Sequence, residues 1–257
     1  VAAGVDAVKF QTFNAGQVTT TAGEMANYQK KNIGKTESQL AMLKKLELPE
    51  NFYPSLIKRC QEKKIIFLST PHGGFDSVDL LKRFKVPAFK FSSGDLTNLP
   101  VLEYAAKLGK PMILGTGMAT LDEVQNAIKA IKKTGNQQII VLHCTTNYPC
   151  PLNEVNLRAM LTMKQKLSAL VGYSDHTNGI HVPIMAATLG ACIIEKHFTL
   201  DRNMSGPDHR ASLEPVELEA MVKSVREASL ILGSGVKSPS KSEIPIIIIV
   251  RKSIVAA

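Results

Sequence analysis

Apolar runs of five to seven residues recur along this chain, and each hands over to a segment with helical spacing. The runs are AVKFQ (7–11), IIFLST (65–70), AFKFSS (88–93), MILGT (112–116), IIVLHC (139–144), LVGYSDH (170–176) and CIIEKHF (192–198). Between and after them lie amphipathic stretches such as FDSVDLLKRF, TLDEVQNAIKAIKK and EPVELEAMVKSVREASLIL. In the last of these Pro215 suits a first helical turn, and Leu218, Met221, Val222, Val225 and Leu232 form one apolar stripe. Strands that alternate with helices predict a parallel sheet, because a parallel pair needs a crossover between its strands. The chain opens with VAAGVDAVKF, as if a helix had just ended, with Gly4 in the left-handed position. Seven strand-helix units and a lost first one predict a (β/α)8 TIM barrel that lacks its first strand and helix in this chain.

Two regions break the rhythm. Residues 12–50 form a long insertion, polar at first and amphipathic in ESQLAMLKKLEL, and connections of that length in compact domains are commonly lids or binding loops. At the other end GSGVKSPSKSE reads as a linker into IPIIIIVRKSIVAA, an apolar tail that needs a partner surface. The expected organisation is therefore one barrel domain over residues 1–235, followed by a linker over 236–257 toward a further domain.

Composition narrows the function. The 31 Lys and Arg exceed the 22 Asp and Glu, giving a formal charge of +9, so anions are the natural partners. Nucleic acid is disfavoured: Trp is absent, and basic pieces such as KAIKK carry no aromatic residues on which bases could stack. Cys60, Cys144, Cys150 and Cys192 show no paired metal or redox spacing and three adjoin apolar runs, as reduced core thiols of a cytoplasmic protein do. The most apolar run, IPIIIIV, falls far short of the ~20 residues of a membrane-spanning helix.

Residues two apart on a strand share a face. Lys9 with Gln11, Lys90 with Ser92, His143 with Thr145, Ser174 with His176, and Glu195 with His197 all have this spacing near the C-terminal ends of their strands, where barrel enzymes build their sites. An inward ion left alone in a dry interior costs several kcal/mol, so these groups imply pairing, water, a ligand or a metal. His176 and His197, on consecutive strands, suit a divalent ion that keeps open positions, with Mn, Fe, Co and Zn all chemically reasonable. Lys9 and Lys90, flanked by the hydroxyls of Ser69, Thr70, Ser92, Ser93 and Ser174, suit a phosphate or carboxylate. Two rival readings remain: a class I aldolase in which a strand lysine forms a Schiff base, and a non-catalytic carbohydrate- or anion-binding fragment.

The runs DAVKFQTF, SSGDLTNLP, GTGMATLDEV, LHCTTNYPCPLNEVNLRAM, GYSDHTNGI, IIEKHFTLDRNMSGPDHRASLEP and RKSIVA resemble those of the sialic acid synthases, the N-acetylneuraminate synthases with their legionaminate and pseudaminate relatives. The resemblance covers nearly the whole chain. It implies a barrel enzyme that condenses phosphoenolpyruvate with the open-chain aldehyde of an N-acetylated sugar, typically N-acetylmannosamine, to give a nine-carbon keto acid and phosphate. It implies a divalent metal, Mn or Mg, held by His176 and His197. By the same resemblance Lys9, Gln11, Thr70, Lys90, Ser93 and Ser174 bind substrate with Glu195 beside them, either Thr146 or Asn147 serves the anion, and Tyr148 and Asp208 contact the sugar. Lys9, Glu195, His176 and His197 are the expected catalytic set. Face alternation favours Ser92 where the motif favours Ser93, and the motif is followed because strand ends often twist or bulge.

The departures from the family pattern carry information too. This chain has STPHGGFDS where family members usually have Phe-Asp after the STP turn, so the loop after Thr70 is altered and His72 is left without a role. The resemblance also implies a domain-swapped homodimer. In it, a first strand supplies a sugar-binding glutamate and a C-terminal antifreeze-like domain reaches into the partner's site with an arginine.

Overall fold

The computed structural model describes residues 1–34 and 37–252; Lys35 and Thr36 of the insertion and the RKSIVA motif from residue 253 onward lie outside them. Each expected apolar run forms a strand: β1 (Ala7–Thr12), β2 (Ile66–Pro71), β3 (Phe89–Phe91), β4 (Met112–Gly115), β5 (Ile139–His143), β6 (Leu170–Asp175) and β7 (Ile194–Lys196). All pair in parallel and in chain order, with β1 on β2 and β3 to β7 in one continuous ladder. The ladder therefore runs in two hydrogen-bonded pieces, with β2 lying beside β3. Lys9 on β1 reaches Glu195 on β7 at 3.8 Å, so the parallel sheet curls until its first and last described strands face each other.

Helices alternate with the strands along the chain. They are α1 (Ala15–Val18), α2 (Asn27–Ile33) and α3 (Gln39–Lys44) in the insertion, then α4 (Tyr53–Glu62), α5 (Phe75–Arg83), α6 (Leu99–Ala106), α7 (Leu121–Lys133), α8 (Arg158–Lys166), α9 (His181–Thr188), α10 (Pro215–Leu232) and α11 (Ile244–Val250). Gly4 takes φ +77°, as the opening motif requires. Along α10, Leu218 and Met221 are buried and Val222 and Val225 pack beside them, but Leu232 is 52% exposed because the apolar stripe outruns the surface that covers it. The exposed isoleucines of α11 follow an extended stretch and lie on the protein surface, Ile248 at 90% exposure. No helix among the described residues is long and apolar enough to cross a membrane.

Strand alternation divides the side chains between two layers. Phe89, Phe91, Met112, Leu114, Val141, Val171 and Tyr173 face outward into the main core, against Leu102, Ile131 and Met160 of the helices. Ala88, Ile113 and Leu142 face inward with Leu68, Ile140 and Ile193 and fill the floor of the curl. Gly172 has no side chain because a Cβ there would stand 2.6 Å from the Ile193 carbonyl and 2.7 Å from Leu142 Cδ2. Above this floor the inward positions become polar. Cys60, Cys144 and Cys150 are buried free thiols, whereas Cys192, just before β7, is exposed.

One charged pair lies on the outer side of the sheet. Lys196 donates to the Asp175 carboxylate and to the Thr177 carbonyl, and Asp175 Oδ1 accepts from the Thr177 N–H (3.1 Å) and hydroxyl (3.0 Å). Both charged side chains are at most 1% exposed. Removing one member of such a pair strands the other in a dry layer. Lys196→Met is expected to cost about 3–5 kcal/mol in urea unfolding, and adding Asp175→Leu is expected to return most of it. Equal stability of the single and double variants would refute this account.

Candidate active site

The inward residues at the C-terminal strand ends converge on Glu195. Ser174 lies opposite Glu195 in the β6–β7 ladder and donates its hydroxyl to Oε1 at 2.7 Å. Lys90, arriving from β3, stands 3.3 Å from the same oxygen, and Lys9 from β1 stands 3.8 Å from Oε2. Burial opposes the charge on Glu195, but Lys9, Lys90 and the Ser174 hydroxyl outweigh it and hold the carboxyl well below the usual range. Burial lowers the Lys9 pKa, which Glu195 counters and Lys90 reinforces. Two lysines thus share one carboxylate, and the cluster keeps formal positive charge for an anion.

Beside it stand the two imidazoles. His176 Nδ1 donates to the Thr145 carbonyl at 2.6 Å, which fixes the neutral ring with its lone pair on Nε2. That Nε2 lies 3.4 Å from Ser174 Oγ, whose proton is committed to Glu195. His197 Nδ1 lies 3.9 Å from Asp208 Oδ2. Burial, His176 and Lys9 push the His197 pKa down to about 3, and burial also lowers that of His176. The rings are 5.5 Å apart at 68°. With metal–nitrogen bonds of about 2.1 Å, two rings on adjacent positions of one ion have centres about 5 Å apart. Two neutral imidazoles, one oriented by a carbonyl behind it, therefore fit as a partial ligand set for a divalent ion with open positions. Among the described residues no group of three or more His, Cys, Asp or Glu could hold an ion by itself.

A third group surrounds Lys90. Gly117 donates its N–H to Ser93 Oγ (2.9 Å) and to Cys144 Sγ (3.1 Å), and Ser93 Oγ lies 3.2 Å from that sulfur. A Cβ on Gly117 would stand 2.1 Å from Thr146 Oγ1, and one on Gly115 would stand 3.4 Å from Lys90 Nζ. Thr146 Oγ1 and Thr70 Oγ1 are buried with no hydrogen-bond partner. Buried hydroxyls are normally paired. Two unpaired ones, that of Thr146 in the glycine cradle beside Lys90 and that of Thr70 at the end of β2, fit a site built to bind an anion.

On the far side of the imidazoles is an aromatic wall. Tyr148 packs 4.2 Å from the His176 ring and 5.4 Å from that of His197, and Tyr28 of α2 lies 5.1 Å from Tyr148 at 38°. Burial raises the Asp208 pKa, and burial with Asp208 pushes the Tyr28 phenol up to about 12. Burial also raises the Tyr148 phenol. This side offers ring faces and one carboxylate rather than ammonium groups.

Most of the expected residues meet here: Lys9, Lys90, Ser93, Thr146, Tyr148, Ser174, His176, Glu195, His197 and Asp208; Thr70 lies at the C-terminal end of β2 with its hydroxyl buried. Gln11 is exposed at the end of β1, opposite Thr70 in the ladder. Of the two alternatives after HCT, Thr146 is the one whose side chain lies against Gly117. Two expectations from alternation are corrected. His143 faces outward, its Nε2 at 2.9 Å from the Val155 carbonyl, so Cys144 takes the inward position. Ser92 is turned away from the Lys90 cluster and donates to Asp95 Oδ2 (2.6 Å), which His72 Nδ1 also meets at 2.8 Å. The backbone leaves β3 directly into a 3-10 turn at Ser93–Asp95, which breaks the period of two. Cys144, Gly117, Tyr28 and Asn32 were missed. The GTG spacing at 115–117 was the available signal for the cradle, since two glycines at a strand end permit close approach.

The chain is similar to known proteins over nearly its whole length. Residues 1–237 match the model of the NeuB family. The chain is 51% identical to the N,N'-diacetyllegionaminic acid synthase of Campylobacter jejuni serotype O:2 over 98% of its own length and 76% of that protein's. It is 46% identical to the enzyme of the same name from Legionella pneumophila, over 98% and 71%. Among solved structures, the N-acetylneuraminic acid synthetase of Leptospira borgpetersenii, crystallised with citrate, superposes with a TM-score of 0.82 at 33% identity, covering 98% of this chain and 84% of that one.

The cradle makes a steric prediction. Gly117→Ala forces Thr146 aside and is expected to weaken binding of inorganic phosphate, measured by calorimetry, by about tenfold, the worth of roughly one strong hydrogen bond. Gly94→Ala, whose Cβ meets only Ser92 Oγ at 3.7 Å, should leave binding unchanged. Equal affinities for the two variants would remove the Gly117–Thr146 contact from the anion site.

Proposed function

Because the chain belongs to the NeuB family, a family of nonulosonic acid synthases, we propose that it condenses phosphoenolpyruvate with an N-acetylated mannosamine-type sugar to form a nine-carbon keto acid and phosphate. The names of the two relatives at 51% and 46% identity point to a legionaminate-type product. The observation that carries the reading is the division of one site into a cationic half around Lys9, Lys90 and Glu195 and an aromatic half around Tyr148 and Asp208. It suits two substrates, one a small polyanion and the other an uncharged sugar.

In this reading Lys9 and Lys90 bind the phosphate and carboxylate of phosphoenolpyruvate, with Thr70, Ser93 and Thr146 donating hydrogen bonds and Ser174 holding Glu195 in place beneath them. Glu195 stays ionised and keeps both ammonium groups aimed at the anion. The enol carbon C3 attacks the aldehyde carbon of the sugar, water adds at C2, and phosphate leaves. His176 and His197 would hold a divalent ion, Mn or Mg, which when bound supplies Lewis-acid polarisation and a more acidic bound water. Asp208, 3.9 Å from His197 Nδ1, places its carboxylate on the sugar side as an acceptor for a sugar hydroxyl, and the proton lost by the water that adds at C2 ends on the aldehyde oxygen. Tyr148 covers both imidazoles and excludes bulk water. Closure of the sheet into an eight-stranded barrel and assembly as a cytoplasmic homodimer belong to the same proposal.

The lowered Lys9 pKa is also what a Schiff-base lysine would need, so the test separates the two chemistries. Phosphate release from phosphoenolpyruvate with N-acetylmannosamine-type sugars is expected, with loss of activity on chelation and no borohydride-trapped adduct on lysine. His176→Ala and His197→Ala should lower turnover by at least about 100-fold, the usual scale for removing a metal ligand or its support, with circular dichroism unchanged. A trapped adduct together with chelator-resistant turnover would overturn the metal-assisted reading.

A further inference from the structure

The strand ladder has a seam between β2 and β3. β1 and β2 form one hydrogen-bonded piece and β3 to β7 the other, and among the described residues no ladder pairing joins β2 to β3. The anion half of the site straddles this seam, with Lys9 and Thr70 on the first piece and Lys90 and Ser93 on the second. Backbone pairing alone therefore does not fix the spacing of these groups across the seam. A side-chain bond does cross it at that level. His72 extends the first piece, its N–H donating to the Thr12 carbonyl at 2.9 Å. Its Nδ1 lies 2.8 Å from Asp95 Oδ2, on the 3-10 turn that follows β3, and the same oxygen accepts from the Ser92 hydroxyl at 2.6 Å. A carboxylate offers acceptors only, so the imidazole donates from Nδ1. Neither side chain is freely solvated, His72 being 28% exposed and Asp95 16%.

We propose that His72 and Asp95 are positioning residues that latch the two sheet pieces together across the anion site and so set the spacing of its donors. The proposal rests on the anion half of the reading above and adds two residues to which that reading gives no part. Each end of the latch lies two residues from an anion donor, Thr70 before His72 and Ser93 before Asp95. Thr70 Oγ1 is buried without a partner, and Ser93 Oγ accepts the Gly117 N–H at 2.9 Å. A displacement of the turn is thus passed to the glycine cradle, and a displacement of the β2 end to the Thr70 hydroxyl. A polyanion bound by several donors at once gains affinity from their being held in place beforehand, which is what a bond between their supports supplies. Leu96, buried just after the turn, anchors it to the core below, and the imidazole anchors it to the neighbouring piece.

Calorimetry with inorganic phosphate, alongside kcat and KM for phosphoenolpyruvate, tests the latch in the wild type, His72→Ala, His72→Leu, His72→Asn, Asp95→Ala and the His72→Ala, Asp95→Ala double variant. His72→Ala is expected to weaken phosphate binding and raise KM for phosphoenolpyruvate by about tenfold, because the donors are displaced rather than removed, with kcat changed less than about twofold. His72→Leu fills the space without a donor and should show the same loss, which covers the case in which alanine unsettles the fold. His72→Asn places an amide N–H near the position of Nδ1 and should restore most of the affinity. Asp95→Ala should match or exceed the loss in His72→Ala, and the double variant should be no weaker than Asp95→Ala alone, since both substitutions break one bond. Wild-type phosphate affinity in His72→Ala and His72→Leu overturns the inference, even where their melting temperatures fall, as do equal losses in His72→Asn and His72→Ala. A wild-type protein that binds no phosphate overturns the anion site and this inference with it. Phosphate affinities that follow the expected order in a protein that does not turn over phosphoenolpyruvate uphold the latch and overturn the synthase reading alone.

Discussion

Everything in this site depends on one carboxylate held between two ammonium groups at the open end of a curled sheet. Glu195 on β7 meets Lys9 from β1 and Lys90 from β3, so a single cluster joins the first, third and last described strands. At an effective dielectric near 20, unit charges at such distances attract by roughly 4–5 kcal/mol, while taking each ion out of water costs several kcal/mol. Those terms nearly cancel. The cluster therefore stands only because the Ser174 hydroxyl also satisfies the carboxylate, and because a second lysine shares it. An arrangement so near balance is a poor device for stability and a good one for binding an anion that restores the missing negative charge.

The same strands carry a second charged pair that does the opposite work. Asp175 and Lys196 lie one residue away from Ser174 and Glu195, and the period of two sends them to the outer layer. There the pair has matched charge and a closed set of hydrogen bonds with Thr177, and almost no exposure. One step along the chain separates an incomplete inward cluster from a complete outward one. A register slip of one residue in β6 or β7 would exchange them, placing the unmatched lysines' partner in the core.

This explains how much was legible in the sequence. All seven strands were, because apolar runs bounded by helical patterns are long-range in neither cause nor effect. The pairing of inward residues was legible wherever the strand stayed regular, as at Glu195 with His197 and Ser174 with His176. It failed where the backbone left the strand early: β3 ends at Phe91, so Ser92 and Ser93 swap the places that alternation assigns them. His143 misled for another reason. It is the last residue of β5, its ring is satisfied by the Val155 carbonyl from a later loop, and no local pattern announces such a partner. Tyr28 was hidden for the same reason. Its contact with Tyr148 spans the insertion, whose polar character suggested a lid and not which side chain it lowers into the site.

The electrostatics link the two halves of the site in a way that neither half would show alone. Imidazoles bind metal only when neutral, and burial beside Lys9 keeps His197 neutral far below ordinary pH, with His176 shifted the same way. Burial does most of this, and the lysines that attract an anion add to it. Bringing a dianion onto the lysines weakens that protection, yet it adds negative charge that favours a divalent cation on the same imidazoles. Anion and cation are then mutually reinforcing ligands, and the site need not hold either tightly by itself. A pair of histidines with no third protein ligand among the described residues is what such coupling permits, because in the proposed reaction substrate and water would complete the coordination.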